Sequence, residues 1–203
     1  MNIKKTLPAV AGFFIAWAAF VYSGELMEIN VEQGNQWFTS LDGVLYTKDM
    51  TELVACPNAL TSLTIPPTVR KLRDAAIINC GKLEPLTIPK GVTDIGWRAI
   101  KDCGSLKTVT IPSTVRSIAE IAFCNCRSLT SVTIPADVTS IGKRVFENCG
   151  ALTSVTMRGE RPDSSDNVFP KCANLKEIHV PANAKSWAGM KEWQGIPLVF
   201  DAK

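Results

Sequence analysis

The residues of this sequence that could do chemistry are seven cysteines, the single histidine His179 and a few acidic pairs. A histidine beside a thiol could activate it as a nucleophile. His179 instead lies in a strand pattern next to Glu177, while Cys172 is predicted to face the core. Asp163 and Asp166 lie in a polar loop, which is typical of solvated surface. The sequence contains no G-x-S-x-G, H-E-x-x-H or glycine-rich phosphate loop, so we predict no catalytic residues and no enzyme.

The cysteines are informative through their spacing. Six of them recur at intervals of 24 and then 23 residues: Cys56, Cys80, Cys103, Cys126, Cys149 and Cys172. Residues at equivalent positions of successive coils point in the same direction rather than toward each other, so disulfides between them are disfavoured. We expect a ladder of mostly reduced, buried thiols, which pack as small apolar groups.

Cys124 lies outside this ladder, and the sequence leaves its exposure open. The cluster Cys124-Asn125-Cys126 is too small for a zinc site, which needs four ligands. We therefore predict no metal site and no cofactor.

Each ladder cysteine begins a similar phrase. After Cys126, the residues Leu129, Val132 and Ile134 follow the L-x-x-L-x-L spacing of leucine-rich repeats. Val132 and Ile134 are two residues apart, so on a strand they share one face. Pro135 has no N–H group to donate and should end the strand.

One such coil cannot bury its own apolar face, whereas stacked coils about 4.8 Å apart bury a continuous core. The sequence therefore predicts a leucine-rich-repeat solenoid of the α/β-type horseshoe class. It should be mostly β, with a parallel β-sheet on the concave face and irregular or 3-10 segments on the convex side.

Residues 1–24 are predicted to be a signal peptide. Lys4 and Lys5 precede an uncharged apolar run of 16 residues, Leu7 to Tyr22, and small residues follow it. A retained anchor is the alternative, although a membrane span usually needs about 20 residues.

The remaining chain divides into three predicted parts. Residues 25–55 should form an N-terminal cap with a hairpin at Asp42-Gly43. Residues 56–181 hold about six repeat coils. The fifth departs from the pattern at Met157, and the polar loop Asp163 to Asn167 that follows should bulge. Residues 182–203 should form a C-terminal cap in which Trp187 and Trp193 cover the last coil.

The formal net charge is +3, and two of these charges are Lys4 and Lys5. No run of basic residues interleaved with aromatics occurs, so we predict no nucleic-acid partner. We also predict no membrane contact beyond the signal sequence.

The repeat pattern C-x-x-L-x-x-V-x-I-P-x-x-V-x-x-I resembles the BspA-like, or treponemal-type, leucine-rich-repeat family. The entry segment Asp42 to Tyr46 and the ending Leu175 to Pro181 also resemble that family. The resemblance implies a bacterial protein at the cell surface, secreted, or in the periplasm, and adhesion to host matrix proteins, epithelial cells or other bacteria. It supplies no shared catalytic residues.

The strand residues that alternate with the buried ones should line the concave face and bind a protein or glycan ligand. They are Thr64, Thr87, Thr108, Thr110, Ser131, Thr133, Ser154, Thr156, Glu177 and His179. Threonine also suits exposed strands through its β-branching alone. The column lacks central Trp, Tyr or Arg anchors, so binding should be weak or multivalent.

The leading hypothesis from the sequence is an exported binding or adhesion module. The alternatives are a structural, self-assembling homo-oligomer of the envelope and a periplasmic small-ligand binder.

Overall fold

The 23-residue repeat corresponds to successive coils of a β-solenoid. The computed structural model describes residues 3–8, 25–164 and 167–202. Together these residues form a mostly β solenoid of about eight turns. Most of the predicted signal segment, residues 1–2 and 9–24, lies outside the described residues. Within the described ranges no helix is long and apolar enough to cross a membrane.

The first side of the solenoid carries strands from within the leucine-rich phrases, extended by β17 of the C-terminal unit. They are β7 (Pro85–Thr87), β9 (Thr108–Thr110), β11 (Ser131–Ile134), β13 (Ser154–Met157), β15 (Glu177–Pro181) and β17 (Ile196–Asp201). Parallel pairing joins β7 to β9 and runs from β11 through β13 and β15 to β17. The first phrase, around Thr64, lies outside any strand.

The second side is another parallel ladder, which the sequence did not predict. Each coil contributes a strand of two residues: β6 (Lys71–Leu72), β8 (Asp94–Ile95), β10 (Ser117–Ile118), β12 (Ser140–Ile141) and β14 (Asp163–Ser164). In four of these strands the second residue is a buried Leu or Ile. Two-residue strands are too short to show an alternating pattern, which is why periodicity did not reveal them.

The third side consists of turns whose N–H groups point toward the next coil. Ile121, Phe123 and Asn125 donate to the carbonyls of Lys143, Val145 and Glu147, at 3.0, 2.9 and 2.8 Å. Ile121 and Asn125 have φ values of 63° and 62°, and this left-handed conformation recurs in each repeat coil. Asparagine tolerates it well.

The interior contains the cysteine ladder. The thiol of Cys126 donates to the carbonyl of Ile100 in the preceding coil, at 3.2 Å, and Cys103 and Cys149 make the equivalent contact. Among the described residues all seven cysteines are free, and six are buried. Cys124 is also buried, 4% exposed, because Glu147 of the next coil lies against it.

A column of apolar side chains fills the corner beside the turns. Phe123, Phe146 and Phe169 stack with ring centroids 5.3 and 5.5 Å apart. Trp193 meets Phe169 edge-on at 5.8 Å and Trp187 meets Trp193 in the same way. The two tryptophans therefore continue the aromatic column beyond the last coil.

The N-terminal unit contains β2 (Leu26–Val31), β3 (Phe38–Leu41), β4 (Val44–Thr47) and β5 (Glu52–Ala55). β3 and β4 form the hairpin predicted at Asp42-Gly43, where both residues have positive φ. β4 pairs with β5, and β5 pairs in parallel with β6. This hairpin thereby joins the second side of the solenoid as its first strands.

Residues 3–8 also belong to this unit. β1 (Ile3–Leu7) pairs in parallel with β2, and Leu7 is buried. Part of the segment predicted to be a leader is thus a strand of the structure.

The fifth phrase ends in a sequence that attaches the C-terminal unit. A 3-10 helix spans Lys185–Trp187, and its N-cap residue Ala184 offers no side-chain oxygen. The carboxylate of Glu160 instead accepts hydrogen bonds from the N–H groups of Lys185 and Ser186, at 3.2 and 2.8 Å. The indole of Trp187 donates to the carbonyl of Gly159 at 3.0 Å. The departure of the fifth phrase from the repeat pattern is therefore a docking point for the C-terminal unit. In the loop predicted to bulge, Asp163–Ser164 form β14 of the second side, and residues 165–166 lie outside the described residues.

Gln194 closes the third side. Its side-chain oxygen accepts hydrogen bonds from the N–H groups of Asn167 and Val168, at 2.6 and 3.2 Å. In earlier coils the position equivalent to Asn167 donates to a backbone carbonyl of the following coil, as Ile121 and Arg144 do. The short β16 (Glu192–Trp193), paired with β17, positions this side chain.

Replacing Glu160 with alanine should loosen the C-terminal unit, because two helix N–H groups lose their acceptor. The expected effect is a loss of stability confined to the C-terminal unit, as for the loss of an N-cap. Hydrogen–deuterium exchange should become faster at Lys185 and Ser186 and remain unchanged in the coil around Val132.

Glu192→Ala is the matched control, since that exposed carboxylate has no hydrogen bond or ion pair to any other described residue. Equal exchange in the two variants would show that Glu160 does not hold the helix.

Candidate binding surface

The ten residues predicted to bind a ligand lie on the first side of the solenoid and form what we call the Ser/Thr surface. Thr87 and Thr110 are in register on β7 and β9. On β11, β13 and β15 the register aligns Thr133, Thr156 and His179 in one row and Ser131, Ser154 and Glu177 in a second. Thr108 is exposed on β9, and Thr64 is exposed in the first phrase without belonging to a strand.

These side chains point outward because their neighbours point inward. Val132 and Ile134 are buried while Ser131 and Thr133 are exposed, as the two-residue period of a strand requires. Thr156 and Ser154 are half-buried. Successive rows are separated by the spacing of paired strands, about 4.8 Å.

The hydroxyls of the Ser/Thr surface have no internal role. None of its eight hydroxyls hydrogen-bonds to another residue in the part of the chain that the structure describes. The flanking threonines differ, because Thr130 and Thr153 donate to backbone carbonyls of the preceding coil at 3.5 and 3.2 Å. The surface hydroxyls are therefore free to donate to and accept from a ligand.

The C-terminal end of this surface carries charge. His179 Nδ1 lies 2.8 Å from Asp201 Oδ1, and its Nε2 lies 3.2 Å from Glu177 Oε1. Asp201 belongs to β17, which pairs with the strand that carries His179. The hydrogen bond to Asp201, helped by Glu177, raises the pKa of His179 above its ordinary value of 6.5.

Two neighbouring thiols, those of Cys124 and Cys126, are poorly suited to nucleophilic chemistry. Burial raises the pKa of Cys126, and burial together with Glu147 raises the pKa of Cys124 to about 11. The reactive thiolate is therefore disfavoured at neutral pH. Within the described ranges no group of three or more His, Cys, Asp or Glu residues could hold a metal ion.

The repeats match a known family model. Residues 95–189 match the model described as "BspA type Leucine rich repeat region", in six copies. Over residues 95–189 the repeats are of the BspA type. The search of curated proteins found no match to this chain.

Solved structures agree with the BspA-type assignment. A pneumococcal vaccine antigen, PcpA, is 27% identical with a TM-score of 0.79, over 93% of this chain and 47% of that one. A leucine-rich-repeat protein from Bacteroides ovatus is 30% identical with a TM-score of 0.58, over 73% of this chain and 39% of that one.

A leucine-rich cell surface protein from Faecalibacterium prausnitzii has the same fold. It is 24% identical with a TM-score of 0.72, and the match covers 79% of this chain and 43% of that one. This chain thus spans less than half the length of these three proteins.

Sequence reasoning located the Ser/Thr surface but missed the residues that hold the ends of the solenoid. Each of them makes a side-chain hydrogen bond to a backbone group of a distant residue: Asn35, Asn58, Glu160 and Gln194. The only sequence signal for any of them was the departure of the fifth phrase at Gly159-Glu160.

The single histidine should make stability depend on pH. Because the folded-state pKa of His179 is raised, the folded state favours the protonated form. This stabilisation is fully present below pH 6.5, the ordinary value, and is lost as the pH rises through the raised folded-state pKa. NMR titration of the imidazole should give a midpoint above 6.5.

His179→Gln should remove that part of the pH dependence in urea unfolding. Asp201→Asn should lower the midpoint of His179 more than Glu177→Gln does, because Asp201 is the main cause of the shift. A midpoint at or below 6.5 would contradict the proposed contacts.

Proposed function

We propose that this chain is an exported bacterial binding module that contacts a protein or glycan partner, on a host matrix or cell surface, through its Ser/Thr surface. The observation that carries the proposal is the register of outward hydroxyls along the first side, together with their lack of internal hydrogen-bond partners. A solenoid presents such rows over an extended surface, which is where repeat proteins commonly bind.

The chemistry of the surface sets the expected affinity. Hydroxyls donate and accept hydrogen bonds, but strong interfaces usually depend on buried Trp, Tyr or Arg anchors. The Ser/Thr surface has none of these residue types. Each contact should therefore be weak, and useful adhesion should depend on many copies acting together.

Export is the second part of the proposal. It is supported by the signal-like pattern of residues 1–24 and by the names of two similar proteins, a vaccine antigen and a cell surface protein. Adhesion is supported by the BspA-type repeats alone, and the partner follows only from family analogy.

Binding can be tested on multivalent beads coated with the full chain. Beads should bind saturably to at least one of a set of matrix proteins, epithelial cells and a glycan panel. The pair Thr110→Arg and Thr133→Arg should weaken this binding by about tenfold or more, because two bulky charges are introduced into the surface. Saturable binding unaffected by this pair would exclude the Ser/Thr surface.

Ser140→Arg is the matched control, since Ser140 is exposed on β12 of the second side. It adds the same side chain on a different face and should leave binding unchanged. Light scattering on the same protein variants in solution, without beads, should show monomers. Larger species would favour the self-assembling alternative.

Location can be tested on intact cells. A chain displayed at the surface should be digested by added proteinase while a cytoplasmic marker protein survives. Protection that ends only when the outer membrane is permeabilised would place the protein in the periplasm and contradict direct surface adhesion.

A further inference from the structure

β2 has two edges with different neighbours. On one edge the N–H of Ile29 donates to the carbonyl of Gly43 at 2.8 Å. On the other edge lies β1, in parallel, with Lys4 opposite Glu28 and Leu7 opposite Val31. The N–H of Glu32 donates to the carbonyl of Leu7 at 3.0 Å. The second edge is thus closed by a strand from the predicted leader.

The site occupied by β1 has an apolar recess. Leu7 is 2% exposed and belongs to a cluster of its own, separate from the main core. The other buried members of that cluster are Leu26, Ile29, Phe38, Leu45, Val54 and Ala55. All of these lie outside the predicted leader, so the recess belongs to the rest of the chain.

Asn35 gives the site a fixed polar group. This residue is 1% exposed, and its side-chain oxygen accepts hydrogen bonds from the N–H groups of Trp37 and Phe38, at 3.0 and 2.9 Å. Its side-chain nitrogen donates to the carbonyl of Pro8 at 2.9 Å. The donor is therefore held in place by the cap and directed at the backbone of the occupant.

Charge adds a preference for a basic occupant. Lys4 forms an ion pair with Glu28, which lies on β2. Since Leu7 follows Lys4 by three positions, the resident segment defines a pattern: an extended strand with a basic residue and, three positions later, an apolar one.

Removal of residues 1–24 on export would vacate this site. The edge of β2 would lose its partner strand, the recess would lose Leu7 and Asn35 would lose its acceptor. An unpaired edge of this kind binds extended segments by strand addition.

We propose that the β2 edge is a strand-docking site, which residues 3–8 occupy in the unprocessed chain and an extended segment of a partner polypeptide occupies after export. The partner strand lies parallel to β2, with Lys or Arg opposite Glu28 and an apolar side chain in the Leu7 recess. This inference rests on the export proposed above, but it uses a different surface from the Ser/Thr surface.

The strand-docking site can be tested on the full chain after it has folded. A protease recognition sequence substituted for residues 12–17 allows the leader to be cut once the protein has folded. A fluorescein-labelled peptide with the sequence Ile3 to Pro8 should then bind saturably to the cut chain, measured by fluorescence anisotropy, and not to the uncut chain. Retention of the cut segment through gel filtration would also support the site.

Peptide variants test the recognition. Aspartate at the position of Leu7 should weaken binding by at least about tenfold, since the recess is apolar. Glu28→Lys in the chain should weaken binding by about two- to fivefold, and a peptide with glutamate at the position of Lys4 should restore it. Glu25→Lys is the matched control, because Glu25 pairs with Lys82 instead.

Three results would overturn the proposal. The first is no binding by a cut chain that has released its own segment and keeps its native circular dichroism. The second is equal binding of a scrambled peptide. The third is an intact mass showing that the exported protein retains Ile3 to Pro8. Loss of bead binding in the Thr110 and Thr133 pair, with peptide binding intact, would concern the Ser/Thr surface alone.

Discussion

On the third side of the solenoid, a coil has no hydrogen-bond acceptors of its own for several of its backbone N–H groups. The N–H groups of Ile121, Phe123 and Asn125 have acceptors only because the next coil supplies carbonyls at the right height. Unpaired buried peptide groups are costly, so each coil depends on the coil that follows it. The same dependence explains why both ends of the stack carry units of different sequence.

Because every repeat has the same length, equivalent side chains of successive coils stack in columns and have the same surroundings. Cys103, Cys126 and Cys149 each donate to a carbonyl 26 residues earlier. Phe123, Phe146 and Phe169 stack because the 23-residue repeat places their rings above one another. Outside, the same regularity aligns Thr133 with Thr156, although neither hydroxyl hydrogen-bonds to another residue in the described ranges. The inner columns therefore serve stability, while the outer rows remain available for binding.

The sequence predicted those features that have a local pattern of residues. Leu129, Val132 and Ile134 revealed the coil, and Asp42-Gly43 revealed the hairpin, because each pattern is local and has a direct physical meaning. The second parallel ladder was missed because Ser117 and Ile118 form a strand too short for any periodicity. The contacts of Glu160 and Gln194 were missed because their partners lie more than twenty residues away. Alternation predicted which residues of β9 and β11 face outward, although Thr64 lies outside any strand. Alternation does not name a ligand.

The shared direction of the third-side hydrogen bonds makes the solenoid a polar object. Its peptide N–H groups face the C-terminal end, so that end can be closed only by an acceptor, and the side-chain oxygen of Gln194 is one. Two stacks meeting by their C-terminal ends would bring donor toward donor on this side. On this side, added coils match donor to acceptor only when they follow the direction of the chain. The two ends of the solenoid are therefore different, as are the plus and minus ends of a filament.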